Sequence, residues 1–498
     1  MKKIRLIALL FTAMVLFSGK TSMAQNTTFK LSDYKNPDYF YQTLDLNFGM
    51  NCTSTIRKND KPSDFYNFKS NSFRSNAQAN YSSYANSHKS QSEFYAHLEG
   101  NIGSIGQNNT LDLISSETKS NSFSHSEGLF LSGLKRFYHD KQNYFEIGGS
   151  FSNNYSGSSQ KNKSLNIDTI SNSVQFATTN FQNTSNLSLL IGKGRIEQVQ
   201  DARMALYLLE DMHRLNRANR LASDEDVLDL AKLITSLKYK RFFDERLRKI
   251  AEITAIDSFM QQRGLVSSED AAYYTSLNDN WSYSNNPARN SGCRIFTGIE
   301  GGFGYNQTKN KMEYKVPILN TLEQTNNENQ LSVSVVAGLD YENPINLKWQ
   351  NSASFMVQFG SSSDKSIVKS TNASDVNNYL GQTPAMYLTA NYGYGYYPNS
   401  RTWLTAGWTL SSSYKKQYTG TLKSDKENSS NNFQIYTGPS FHAYYYLSEK
   451  LRLSLNFSSF LQIDNDNYIN NVPVGSNKNQ TKTNWNNQLD ASLTYSLF

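Results

Sequence analysis

Beyond its first 24 residues the chain has no apolar run approaching the ~20 residues an α-helix needs to cross a bilayer, which excludes a bundle of membrane helices. Cysteine is nearly absent. Cys52 and Cys293 are the two in 498 residues, too few for a disulfide-built scaffold. Both fall on one lateral face of strands far apart in sequence, so they are expected to stay unpaired, as small apolar residues. Histidine is sparse: the six are scattered, and no pair has zinc-site spacing. No G-x-S-x-G nucleophile signature occurs. The run from Gly192 to Arg195 (Gly-Lys-Gly-Arg) lacks the Walker spacing and its Lys-Ser/Thr pair. No metal, no cofactor and no enzymatic activity is therefore expected. The net charge of +7 is spread along the chain, without the basic stripe that nucleic-acid binding requires.

What is present begins with an address. Lys2, Lys3 and Arg5 precede an apolar run from Leu6 to Phe17, and Ser22-Met23-Ala24 closes it with small residues. That order is a secretory signal peptide over 1–24, with cleavage expected after Ala24. No Cys follows at the cleavage point, which argues against a lipoprotein.

The mean hydropathy of −0.62 suits a soluble protein, yet aromatic content is 13 %. Alternation resolves the conflict. Leu44, Leu46, Phe48, Met50 and Cys52 alternate with Asp45, Asn47, Gly49 and Asn51. Leu331, Val333, Val335, Ala337 and Leu339 repeat the pattern, as do Met386, Leu388, Ala390, Tyr392 and Tyr394. Period two places one face of each strand against an apolar medium and the other against water. Short connections are expected at Asn86–Lys89, His139–Gln142, Glu342–Asn346, Tyr397–Ser400 and Ser448–Lys450. Long polar loops are expected at Asn306–Glu313, Ser361–Asn378, Lys423–Asn432 and Asp464–Asn484, with Ile102–Ser126 an outer loop with ragged strand ends. Alternating short and long connections belong to membrane barrels and have no cause in a β-sandwich. About six strands precede the centre and eight follow it. The expected fold is an all-β transmembrane up-and-down antiparallel barrel of about 14 strands with an inserted α-helical domain.

The centre changes period. Charged residues become twice as dense between Arg195 and Gly264, and apolar residues recur at helical spacing. One helix is expected from about Val199 to Arg217. A second starts at Ser223, where Ser223 and Asp226 form a capping-box-like pair and Asp224 and Glu225 favour the positive end of the helix dipole. A third covers Phe243 to Arg263 with Leu247, Ile250, Ile253, Ile256 and Phe259 on its apolar side, stopped by Gly264. A short fourth helix, capped by Ser267 or Ser268, runs to about Leu277. The expected division is 1–24 signal peptide, 25–40 N-terminal periplasmic segment, 41–194 and 286–498 barrel, and 195–285 helical insertion. An even number of strands precedes the insertion, which puts it on the side of the N-terminus, the periplasm.

Two resemblances follow. The last strand runs through Leu489, Ala491, Leu493, Tyr495 and Leu497 to Phe498. It resembles the C-terminal assembly signal of outer-membrane barrels, with Tyr495 and Phe498 as its aromatics and Ser496 in the usual penultimate-aromatic place. The runs Gly192–Glu197 (Gly-Lys-Gly-Arg-Ile-Glu), Asp201–Arg203 and Lys240–Arg246 resemble an insert in a group of uncharacterised, porin-like bacterial outer-membrane β-barrel proteins. The resemblance covers about 90 residues and implies an architecture and a location in the Gram-negative outer membrane, without an activity.

The leading expectation is a channel for small solutes or an exported substrate, lined by Asp45, Glu93, His97, Glu99, Glu300 and Arg452. His97 shares a face with Glu93 and Glu99, and a solvated wall outweighs a metal site there. The second expectation is a barrel anchor whose helical block docks an envelope assembly or export partner through Arg241, Arg246, Arg248 and Lys249. An ordinary solvated helix face is the plainer reading of those four. A third is a transporter for apolar ligands. The long-chain fatty-acid porin family has a similar strand number but carries an N-terminal plug, and here only Gln25–Pro37 precedes the first strand. The expected partners are outer-membrane lipid, the barrel assembly machinery and a periplasmic protein, not nucleic acid.

Overall fold

The computed structural model describes residues 29–59, 66–111, 116–140, 142–166, 169–238, 245–267, 270–284, 287–315, 319–371, 377–421, 424–448, 451–469 and 478–495. The expected signal peptide, Arg241 and Phe498 lie outside these residues.

Fourteen strands form one antiparallel sheet in sequence order. Six precede the helices: β1 (Tyr39–Asn59), β2 (Tyr66–Asn86), β3 (Ser90–Leu111), β4 (Ser116–Tyr138), β5 (Asn143–Asn166) and β6 (Thr169–Gln198). Eight follow: β7 (Asn290–Lys315), β8 (Leu319–Pro344), β9 (Trp349–Ser370), β10 (Asn377–Asn399), β11 (Thr402–Thr421), β12 (Ser424–Tyr446), β13 (Leu451–Ile469) and β14 (Lys478–Tyr495). The sheet curls into a cylinder, because residues from β1 through β12 face one shared cavity. Among the described residues no ladder joins β14 to β1. Both edge strands are exposed, with Phe48 at 80 % and Leu489 at 67 %.

The expected loops are strands. Asn306–Glu313 lies within β7, and Ile102–Ser126 is divided between β3 and β4. The physical reason is hydrogen bonding. A ladder formed in the apolar part continues into water as long as the register holds, because its backbone pairs are satisfied wherever they are. Side-chain polarity therefore marks where the apolar band stops rather than where the strand stops. In β8 the outward residues are apolar from Leu331 to Tyr341, 11 of the strand's 26 residues. Asn329, Asn327 and Thr325 continue the same face with polar groups. A tilted strand needs about 9–11 residues to cross a hydrocarbon core, so the apolar stretch of β8 is one crossing tall.

The helices are α1 (Gln200–Arg214), α2 (Asp224–Lys238), α3 (Glu245–Gln262) and α4 (Ala271–Tyr283). At α2 the Ser223 amide donates to Asp226 Oδ2 at 2.9 Å and the Asp226 amide donates to Ser223 Oγ at 3.2 Å, a reciprocal capping box. Gly264 follows α3 at φ +60°, the left-handed stop. The fourth helix is capped by Asp270, whose side chain accepts from the Tyr273 amide, and it runs six residues past the expected Leu277. A carboxylate there outdoes the upstream serines because it accepts that amide bond with full charge at the dipole's positive end.

Helices α1, α2 and α4 bury Leu208, Leu230, Ile234 and Leu277 in a common core. Phe29, Leu31 and Tyr34 from the N-terminal segment join it, and so does Leu347 from the β8–β9 turn. The expected apolar side of α3 holds only in its second half. Ile256 and Met260 are buried, whereas Leu247 and Ile250 are exposed.

Candidate functional site: the lumen and its helix-side mouth

Adjacent inward positions follow from the ladder registers. Glu93, Arg136, Glu146, Arg294, Glu300, Asp340 and Glu342 all face a cavity of 1220 Å³ inside the cylinder. Arg136 pairs with Glu146 at 2.5 Å and approaches Glu93 at 3.7 Å. Arg294 pairs with Asp340 at 2.5 Å. Glu300 accepts from Gln358 Nε2 at 2.9 Å and Glu342 accepts from Gln350 Nε2 at 2.6 Å, both neutral amides. Five carboxylates against two guanidiniums leave the cavity wall with an excess of three negative charges. Much of the opposite wall is small: Ser352, Gly393, Gly407 and Ser440 line it on β9 to β12.

Of the sequence-derived lining residues, Glu93 and Glu300 meet in this cavity. His97 faces inward, with Nδ1 2.6 Å from Asn80 Oδ1 and Nε2 3.6 Å from Glu99 Oε2. His97 and Glu99 stand outside the main cavity. Asp45 is exposed on edge strand β1. Arg452 lies on β13 with its guanidinium 5.8 Å from the Tyr444 ring centre. Among the described residues no group of three or more His, Cys, Asp or Glu is placed to hold a metal. Cys52 and Cys293 are free and exposed. Arg136, Glu146, Arg294, Asp340 and Glu342 were missed, and for three of them the signal existed: Arg294 stands one residue from outward Cys293, and Asp340 and Glu342 stand one and three residues from outward Leu339.

The helical block sits at the end of the cylinder that carries the short turns and the N-terminal segment. Tyr207 on α1 donates to the Tyr397 carbonyl at 3.0 Å. Arg401, in the β10–β11 turn, pairs with Asp279 of α4. Tyr283 packs on Tyr446 with ring centres 5.3 Å apart. Two guanidiniums share the Tyr397 ring, Arg203 of α1 at 5.8 Å and Arg289 at 4.8 Å. Arg203, 1 % exposed, donates to the Ser284 carbonyl. Arg289 donates to the carbonyls of Leu347, Asn346 and Trp349 and to Gln350 Oε1. Burial pushes both guanidiniums below the usual arginine range, Arg289 to about 10; at neutral pH Arg289 keeps its proton.

The residues that carried the insert resemblance have structural places. Asp201 accepts from Thr235 Oγ1 at 2.7 Å and from Lys238 Nζ at 2.5 Å, tying α1 to α2. Arg195 grips the β2–β3 turn: it donates to the Ser87 carbonyl at 2.8 Å and to Asn86 Oδ1 at 2.9 Å. The glycines around it lie in strand β6 rather than in a phosphate loop. Among the partner-binding candidates, Arg246 belongs to α3. Arg248 Nε lies 3.4 Å from Glu252, whose carboxylate also accepts from Trp281 Nε1 at 2.7 Å. Burial raises the Glu252 pKa. Lys249 is half-buried on the same helix.

No family model matches the chain, and no curated protein does. Among solved structures, the chain is similar to the translocator domain of autotransporter NalP from Neisseria meningitidis, with 10 % identity over 82 % of this chain and 89 % of that one, TM-score 0.19. It is also similar to the transport unit of the autotransporter AIDA-I from Escherichia coli, with 10 % identity over 82 % and 90 % of the two chains, TM-score 0.26. The toluene transporter TodX of P. putida matches with 10 % identity over 95 % and 94 %, TM-score 0.26.

Proposed function

We propose that the chain is an outer-membrane channel for small polar solutes, with a preference for cations. One observation carries this reading: a cylinder with an apolar outer band encloses a polar cavity of 1220 Å³ whose wall has excess carboxylate. An excess of fixed negative charge on low-dielectric walls concentrates cations and repels anions. Fourteen strands make a cylinder wider than the eight-stranded type that its own side chains fill. In this reading the short turns and the helical block face the periplasm, and the polar upper half of the cylinder faces outward. The partners are outer-membrane lipid and the barrel assembly machinery. The wall offers no nucleophile–base pair among its assigned residues, and the proposal includes no catalysis.

The test is a reversal potential. Purified full-length chain in a planar bilayer under a KCl gradient is expected to give currents with a cation-selective reversal potential. Absence of current, or an anion-selective potential, would reject the reading.

A second reading has its own support. Ile250 on α3 is 57 % exposed and Leu247 lies beside it in the open, on a helix that also carries Arg248 and Lys249. An exposed apolar helix face with basic residues on its flanks suits a periplasmic protein of the envelope assembly or export class. Deleting Gln200–Tyr283 would then abolish recovery of that partner while the cylinder still folds; unchanged recovery would reject it.

A further inference from the structure

The helix-side end of the β6–β7 ribbon leaves the wall, on the β7 side beyond the last pair with β8, Gly292 with Glu342. Gly194 has φ +105° and Gly292 φ +132°, conformations that L side chains rarely adopt. A Cβ on Gly194 would stand 2.0 Å from the Cys293 carbonyl oxygen, and one on Gly292 2.1 Å from that of Arg195. The two glycines lie two residues apart across one ladder, Gly194 opposite Arg294 and Gly292 opposite Ile196. Side chains are excluded at both, so this is where the ribbon can bend.

Beyond the bend the ribbon has new neighbours. On the β5 side the last ladder pair is Asn143 with Lys193, and the last bond runs from the Gly194 amide to the Gln142 carbonyl at 2.8 Å. Arg195 instead reaches Asn86, Ser87 and the His88 carbonyl in the β2–β3 turn. Gln91 Nε2 of β3 donates to the Ile196 carbonyl at 3.1 Å, and the Tyr39 hydroxyl at the start of β1 donates to Gln198 Oε1 at 2.7 Å. Those groups sit three to five strands away along the wall. Neighbouring strands are spaced about 4.8 Å apart, so three strands are about 14 Å, and the direct contacts require a chord across the mouth. Ile196, Gln198 and Asn290 accordingly line the main cavity at its helix-side end.

We propose that residues 195–198 and 290–291 form a strap that gates the lumen, hinged at Gly194 and Gly292, where the β7–β8 ladder ends at the Gly292–Glu342 pair, and latched by Arg195. The contacts that hold the strap across the mouth are hydrogen bonds and one stack of the Arg195 guanidinium on the Tyr138 ring at 4.6 Å. Water can replace the hydrogen bonds, as it cannot replace a packed apolar core. The strap also runs straight into the helical block. Gln198 leads through Val199 into α1, and the Val199 amide donates to the Arg289 carbonyl at 2.8 Å on the returning chain. A shift of the block on its turns would therefore pull both strands of the strap together. The gating role rests on the channel reading above; the bend and the latch do not.

The experiment uses the full-length chain with Cys52 and Cys293 changed to Ser, in planar bilayers and in detergent micelles. Arg195→Gln is expected to raise the time-averaged conductance and to accelerate amide exchange at Ile196–Gln198 by at least ~10-fold, since it removes hydrogen bonds from a charged donor. Asn86→Cys with Arg195→Cys, bridged by a short bifunctional thiol reagent with a reducible link, is expected to hold the conductance low until reduction. Unchanged exchange in Arg195→Gln overturns the strap. Accelerated exchange with no current from any variant overturns the channel reading instead. Currents indifferent to the bridge overturn the gate.

Discussion

Replacing Leu347 with Ala should loosen the helical block from the cylinder and leave the sheet intact. Leu347 is carried by a turn of the sheet but buried, at 5 % exposure, in the core of the helices. Its neighbours include Leu206, Leu209, Met212 and Leu265. Truncating a buried Leu to Ala costs about 2–5 kcal/mol, the lost transfer energy plus a cavity. The rigid turn between β8 and β9 leaves little room for collapse, which favours the upper part of that range. The nearby pair of Lys348 with Glu210 is 4.0 Å long and largely exposed, and such pairs contribute about 0–1 kcal/mol. Hydrogen exchange in micelles reads the difference. Amides of Leu206–Leu209 should lose protection by roughly 30-fold to several thousand-fold in Leu347→Ala, by the conversion of 1.4 kcal/mol per tenfold. In Lys348→Ala the loss should stay under about 5-fold. Equal effects of the two substitutions, or unchanged protection in Leu347→Ala, would refute the claim that an apolar anchor seats the block.

Asp226 is nearly fully buried and paired with Arg220 at 2.7 Å, and that hydrogen-bonded partner holds its pKa at about 2 against an ordinary 3.8. The pairing therefore stabilises the folded block fully above pH 4, and the contribution disappears as pH falls through about 2. Asp226→Asn should cost about 2 kcal/mol at pH 7 and nothing near pH 1, read as helical circular dichroism against denaturant; a pH-independent difference would contradict it. Glu300→Gln, which removes a lumen carboxylate with no cation beside it, should lower the cation-to-anion permeability ratio by roughly 2-fold, measured by reversal potential, and an unchanged ratio would remove Glu300 from the pathway. In a Cys293→Ser background, Cys52 on the outward face of β1 should react with a bilayer-soluble maleimide in vesicles and resist a water-soluble one; preferential aqueous labelling would place that face in water.

Alternation of two was legible along the chain because one residue slip would invert a whole strand. It located the outward Leu44–Cys52 and Leu331–Leu339 faces and the division into six and eight strands. The ends of strands were not legible. Asn306–Glu313 reads as a loop by composition, yet backbone pairing carries β7 through it. Helix starts were legible where a local bond decides them, as at Ser223 and Asp226. The cap of α4 was misplaced because three polar candidates stand within four residues and only the fold selects Asp270.

What the sequence determined by itself is the local: period two, period 3.6 and the capping box. These depend on contacts between residues a few positions apart. The tertiary structure decided what Arg195, Arg289 and Leu347 are for. Each reaches a partner between 58 and 108 residues away or lies in a core built by other elements. Such partnerships follow from the curl of the sheet, which sets strands side by side and brings opposite walls within reach of one ribbon. No linear pattern encodes that distance, so the mouth of the lumen became visible only when the sheet was rolled.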